Sequence, residues 1–151
     1  MRYTYPCSLE PESESGSLVR YTDVPEALTG SRDRKEALAM AEDSLVVALG
    51  AYVKERQAIP SPSPVLDGQV SIAVSAVVAA KLDLYTAMQQ KRVSEKELGS
   101  RLGLTPSAIS RLTDPRRRSL INGIERALRG AGRGLVVESP ALLQWTVGVA
   151  R

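Results

Sequence analysis

Three prolines at alternate positions, in Ile59-Pro60-Ser61-Pro62-Ser63-Pro64, constrain this chain more than any other feature. Each lacks an amide donor and has a fixed φ, so the segment is neither helix nor central strand. It is expected to be an extended connector, stiff in the polyproline manner. Ordered structure must come from the residues on either side, within 151 residues that suffice for one ordinary domain or two small ones.

Ahead of the prolines, residues 2–8 and 17–22 are runs rich in Tyr, Val, Leu and Thr, separated by the polar segment Glu10 to Gly16. That pattern predicts a β-hairpin with a long loop. A short extended piece, Glu26 to Thr29, follows between Pro25 and Gly30. Ser31 or Asp33 can then cap a helix running to about Val53. Its Ala37, Leu38, Ala41, Leu45, Ala48, Leu49 and Tyr52 recur at three- and four-residue steps and make one buried stripe.

Beyond the prolines, Val70, Ile72 and Val74 alternate within Gln69 to Ser75 and predict another strand. The first domain is therefore a small α+β unit placed at residues 1–76. From Val77 the period becomes helical and stays so to Gly130, and Gly134 to Glu138 reads as a short C-terminal strand. These residues form a second domain at 77–139. The tail 140–151 carries Leu142, Leu143 and Trp145 without a clear period.

Charge changes sign at the same place. Residues 1–80 hold 7 Lys and Arg against 11 Asp and Glu, whereas residues 81–151 hold 13 against 6. A front of net −4 and a back of net +7 suggest two partners of opposite sign.

The basic half contains the sharpest local pattern. Val93-Ser94-Glu95-Lys96-Glu97-Leu98 is a capping box with a staple: Ser94 accepts from the Glu97 amide, Glu97 reaches back, and Val93 packs on Leu98. Gly103 suits the left-handed turn that ends the helix. Thr105 caps a second helix, with Pro106 at its first position. Leu98, Leu102, Leu104, Ile109 and Leu112 fall where the two helices meet, and the small Gly99 allows close approach. Two short helices joined this way make a helix-turn-helix.

Ser107, Ser110 and Arg111 are left on the outer face of the second helix, suited to base edges and phosphates. Arg116-Arg117-Arg118 follows where backbone phosphates would lie. Thr105, Pro106, Ser107, Ser110, Arg111, Arg116, Arg117 and Arg118 are thus the expected DNA-contacting set. Such modules usually bind as two-fold dimers. Leu135-Val136-Val137 as an edge strand, or an apolar face on the helix around Ile121, Ile124 and Leu128, can supply the contact.

Lys81-Leu82-Asp83-Leu84-Tyr85, Glu97 to Gly103 and Ala108 to Arg116 together resemble the C-terminal half of HicB antitoxins that carry a Cro-like helix-turn-helix. Tyr5-Pro6, Tyr21 with Asp23-Val24-Pro25, Thr29-Gly30 and Glu36-Ala37-Leu38 resemble the front half of the same family. The chain departs from the family pattern at Thr22, Gly99 and Arg117, where an aromatic residue, Ala and His are common. The resemblance implies a degenerate ribonuclease-H-like front domain that blocks HicA, a small basic toxin that cleaves mRNA. It also implies a back domain that represses the operon's own promoter; a homodimer or higher homo-oligomer is expected because a single helix-turn-helix makes few base contacts. Glu10, Glu12, Glu14 and Asp23, in or after exposed turns, are the candidate toxin-binding residues.

Other functions find little support in the residues. There is no His, hence no Ser-His or Cys-His nucleophile pair and no His-ligated zinc or haem. Cys7 stands alone, which excludes a disulfide framework and a Cys-pair zinc site. A ribonuclease-H centre needs converging carboxylates, but the first strand has none, and Glu42 and Asp43 point about 100° apart on their helix. No enzyme activity and no cofactor are expected. The apolar stretch from Val70 to Leu84 is broken by Ser71, Ser75, Lys81 and Asp83, and the N-terminus lacks a signal-peptide core. A cytoplasmic location is expected, with no membrane partner. The competing function is a one-component transcriptional regulator whose front domain senses a small ligand.

Overall fold

The computed structural model describes residues 3–12 and 16–139. They form an α+β protein: a four-stranded antiparallel sheet and five helices. The strands are β1 (Thr4–Pro11), β2 (Ser17–Tyr21), β3 (Leu28–Ser31) and β4 (Val70–Ala73), and the helices α1 (Arg34–Lys54), α2 (Ala76–Lys91), α3 (Glu95–Leu102), α4 (Pro106–Thr113) and α5 (Ile121–Gly130). The described residues divide into two compact units. One takes the sheet and α1 up to Ala48, and the other takes Leu49–Ile59 together with Ser75–Val137.

In the first unit the sheet order is β3-β2-β1-β4. The expected hairpin forms in the register Cys7↔Tyr21, and β4 adds to the other edge of β1 with Thr4↔Ala73. Tyr5, Cys7, Val19, Tyr21 and Ile72 are buried with Ala37, Leu38, Ala41 and Leu45 of α1. The Tyr21 hydroxyl donates to the Ala41 carbonyl at 2.6 Å, which ties helix to sheet. Asp33 caps α1, its carboxylate accepting from the Lys35 amide at 3.1 Å. The proline-rich segment is more than a connector. The Pro60 carbonyl accepts from the Tyr5 hydroxyl at 2.9 Å, so its start is fastened to the central strand.

The second unit is all-helical. Leu84, Met88, Val93, Leu98, Ile109, Ile124 and Leu128 form its core, with Leu102, Leu104, Leu112 and Leu135 packed against it. Two expectations need correction here. Residues 133–139 carry no strand, since an apolar run becomes a strand only when a partner supplies the ladder, and none of the described strands does. Leu135 packs on the core instead, and Val136 and Val137 are exposed. Nor do Ile124 and Leu128 offer a free apolar face, because both are buried within their own unit. The exposed apolar residues nearest them are Leu120 and Ile121 at the start of α5. The tail 140–151 lies outside the described residues.

Candidate functional site

Local chemistry fixes the α3–α4 pair. Ser94 Oγ accepts from the Glu97 amide at 3.0 Å and starts α3. Gly103 ends it at φ 68°, with its amide on the Gly99 carbonyl. The Leu104 amide reaches the same carbonyl at 2.8 Å. Thr105 Oγ1 then accepts from the Ala108 amide at 3.1 Å, and Pro106 opens α4. Only half of the capping box forms, because the Glu97 carboxylate pairs with Arg101 at 2.5 Å rather than turning back to Ser94. Gly99 is pressed against the turn: a Cβ there would lie 2.4 Å from the Leu104 carbonyl oxygen. The glycine therefore tightens the join between the helices.

The expected contact residues share one exposed region. Thr105, Pro106, Ser107, Ser110 and Arg111 are all exposed on or just before α4. Arg117 and Arg118 are exposed in the following loop, and their side chains, like that of Arg111, form no hydrogen bond or ion pair among the described residues. Arg116 is different. Its guanidinium pairs with Asp114 at 3.1 Å, and its stem lies directly over Gly50.

Residues with no obvious chemistry in the sequence hold this region in place. Lys81, on α2, is wholly buried. Its ammonium donates to the carbonyls of Arg111, Asp114 and Arg117 at 2.9, 3.0 and 2.6 Å. Burial pushes the Lys81 pKa down; the Asp114 charge opposes that and the Arg117 charge adds to it. Asp114 ends α4 and folds the loop back, accepting from the Arg116 amide at 3.0 Å. Burial works against its ionisation. The hydrogen bonds from Arg116, with the charges of Arg116 and Lys81, outweigh this and hold its carboxyl below the usual aspartate range.

The acidic candidates are not gathered into one site. Glu10 and Glu12 are exposed at the far end of β1, Glu10 in an ion pair with Arg20 at 2.8 Å. Glu14 lies outside the described residues. Asp23 follows β2 at the opposite end of the hairpin. Its carboxylate accepts from the Ser63 amide and hydroxyl at 2.8 and 2.5 Å, holding the proline-rich segment. No group of three or more Cys, Asp or Glu among the described residues is placed to hold a metal ion. No helix among them is long and apolar enough to cross a membrane.

Comparison with known proteins covers both units. Residues 4–83 match the family described as "HicB_like antitoxin of bacterial toxin-antitoxin system". Antitoxin HicB 2 of Photorhabdus laumondii subsp. laumondii is 41% identical over 131 residues, 87% of this chain and 92% of that one. Antitoxin HicB of Escherichia coli strain K12 is 34% identical over 131 residues, 87% of this chain and 95% of that one. Antitoxin HicB of Pseudomonas fluorescens is 32% identical over 136 residues, 89% and 93% of the two chains. With matches of that extent, this chain belongs to the HicB-like antitoxins of bacterial toxin–antitoxin systems.

Proposed function

We infer that this protein neutralises a HicA-type mRNA-cleaving toxin through its first domain and represses its own operon by binding operator DNA through its second. Kinship with HicB antitoxins supports the toxin side. One observation carries the DNA side: Ser107, Ser110 and Arg111 stand exposed on one helix beside Arg117 and Arg118, with all three guanidiniums unpaired among the described residues. In this reading α3 and α4 are a helix-turn-helix, and α4 enters the major groove. Arg111 reads a base edge while the loop arginines meet phosphates.

Exposed carboxylates at the end of β1, Glu10 and Glu12, suit a basic toxin. Asp23 acts from within, by holding the segment at Ser63. The protein binds its operator as a homodimer or higher homo-oligomer, and Leu120, Ile121, Val136 and Val137 of the second domain are exposed apolar residues that can join the copies. The reading is tested with the full chain, the small basic protein encoded beside it and a duplex carrying their promoter. Co-purification of the two proteins, arrest of growth by the neighbour alone, and a promoter shift by this chain support it. A neighbour that neither binds nor is toxic overturns the toxin side, and promoter binding no tighter than that of a scrambled duplex overturns the DNA side.

A further inference from the structure

Among the described residues, only two that are not glycine have a positive φ, and both are arginines: Arg56 at 57° and Arg92 at 52°. They occupy the same place in the same motif. After α1, the Arg56 amide reaches the Val53 carbonyl at 3.2 Å and the Gln57 amide the Tyr52 carbonyl at 2.9 Å. After α2, the Arg92 amide reaches Gln89 at 3.2 Å and the Val93 amide Met88 at 2.9 Å. These paired bonds define the Schellman ending, whose left-handed position favours glycine because a Cβ is crowded there. This chain uses glycine for that purpose after α5, where the Gly132 amide reaches the Arg129 carbonyl and the Arg133 amide the Leu128 carbonyl, both at 2.9 Å, with Gly132 at φ 79°. Two guanidiniums held where glycine would be less strained call for a reason beyond the turn itself.

The two turns are also tied together. Gln89 of α2 donates to the Arg56 carbonyl at 3.0 Å and to the Tyr85 hydroxyl at 2.6 Å, and that hydroxyl donates to the Gln57 carbonyl at 2.7 Å. Arg56, Arg92 and Lys54 border a single open cleft of about 540 Å³, which continues to Ser94 at the start of α3 and to Ser110 on the exposed side of α4. All three side chains are exposed and form no hydrogen bond or ion pair among the described residues. The cleft's fourth cation, Arg116, is already paired with Asp114, which leaves Glu95 as the remaining carboxylate.

We propose that Arg56, Arg92 and Lys54 form a phosphate-binding rim that grips the DNA backbone beside the bases read by α4. This rests on the reading of α4 as a DNA-binding helix, and extends that interface to the end of α1 and to the turn before α3. The placement fits, because the first helix of a helix-turn-helix crosses the DNA backbone where the cleft meets Ser94. Guanidiniums engage phosphate oxygens in pairs, and each phosphate neutralised releases counterions. Contacts of this kind position the protein without reading sequence.

The test uses the full chain with R56G/R92G, since glycine retains the left-handed backbone while removing the guanidinium with its stem. R56Q/R92Q keeps the aliphatic stem with a polar, uncharged end as a second check. Affinity is measured on the promoter duplex and on a scrambled duplex across a salt series, with a thermal melt of each variant. Both double variants are expected to lose roughly 10- to 30-fold on both duplexes near 0.15 M salt, and the salt slope to shrink by about two units. The preference for promoter over scrambled duplex stays, and the glycine variant melts no lower than wild type. Unchanged affinity and slope in both variants, while R111A still lowers the promoter preference, overturn the rim and leave the proposed function standing. A wild-type chain that binds no duplex overturns both.

Discussion

Lys81 Nζ lies 2.6 Å from the carbonyl oxygen of Arg117, and the same ammonium reaches the carbonyls of Arg111 and Asp114. Three donors meet three acceptors. The acceptors belong to the last turn of α4 and to the loop after it, where carbonyls have no partner within a helix. A buried cation on α2 thereby fixes the position of the exposed arginines.

Replacing Lys81 by Met keeps the apolar stem and removes all three hydrogen bonds. Each stranded carbonyl costs about 1–3 kcal/mol, and local relaxation recovers part of it, so Lys81→Met is expected to destabilise the chain by roughly 2–4 kcal/mol. Urea denaturation monitored by circular dichroism measures this. A change within about 0.5 kcal/mol, the scatter of ordinary surface substitutions, contradicts the assigned role.

Asp114 makes a pH prediction whose sign follows from its depressed pKa. The unfolded chain takes up this proton before the folded chain does. The stabilisation is therefore complete above the unfolded value, about 3.9, and is lost as pH falls through the folded one. Wild type should exceed Asp114→Asn in stability by about 0.5–1 kcal/mol at pH 7, the scale of a partly exposed ion pair. Denaturation at a series of pH values from 7 downwards should show the gap closing below pH 4. A gap that stays constant to pH 2.5 refutes the assignment.

Cys7, on the central strand, is fully buried, and burial pushes its thiol up to about 11. At pH 8 an ordinary thiol near 8.5 is partly ionised, whereas this one has a thiolate fraction on the order of 10²-fold lower and no access to reagent. Iodoacetamide should leave the native chain unlabelled and add one equivalent in denaturant, read by mass spectrometry. Native labelling at the rate of a free thiol would mean that β1 is not the inner strand.

The parts of this structure legible in the sequence are those settled by neighbours in the chain. Ser94, Gly103, Thr105 and Pro106 determine α3 and α4 through hydrogen bonds a few residues long, and the stripe from Ala37 to Leu49 determines α1. The pairing of Thr4 with Ala73 was not legible, because hydrophobic alternation selects a face and not a partner. Gly134 to Glu138 shows the converse error: the pattern of a strand without a ladder to join. The largest omission in the site has one cause. Lys81, Tyr5 and Gln89 act on the backbone carbonyls of Arg117, Pro60 and Arg56, and a carbonyl carries no sequence signal. Asp23 looked like a solvent-facing charge for a related reason, since its partner Ser63 is 40 residues away.

Base reading and phosphate binding separate within α4 and its loop. Arg111 is exposed on the helix itself, and Arg117 is exposed in the loop whose backbone Lys81 anchors. Arg111→Ala should cost about 1–3 kcal/mol on the promoter duplex and much less on a scrambled one, because it removes a sequence-dependent contact. Arg117→Ala should weaken both duplexes comparably and reduce the salt slope by roughly one unit, since one fewer phosphate is neutralised. Neither change should alter folding, because neither side chain has a partner among the described residues and the Arg117 carbonyl that Lys81 holds is untouched. Fluorescence anisotropy on both duplexes between 50 and about 300 mM salt, a range wide enough to resolve a one-unit slope change, measures all three quantities. Equal losses on the two duplexes for Arg111→Ala make it a backbone contact, and the outer face of α4 is then not the surface that reads bases.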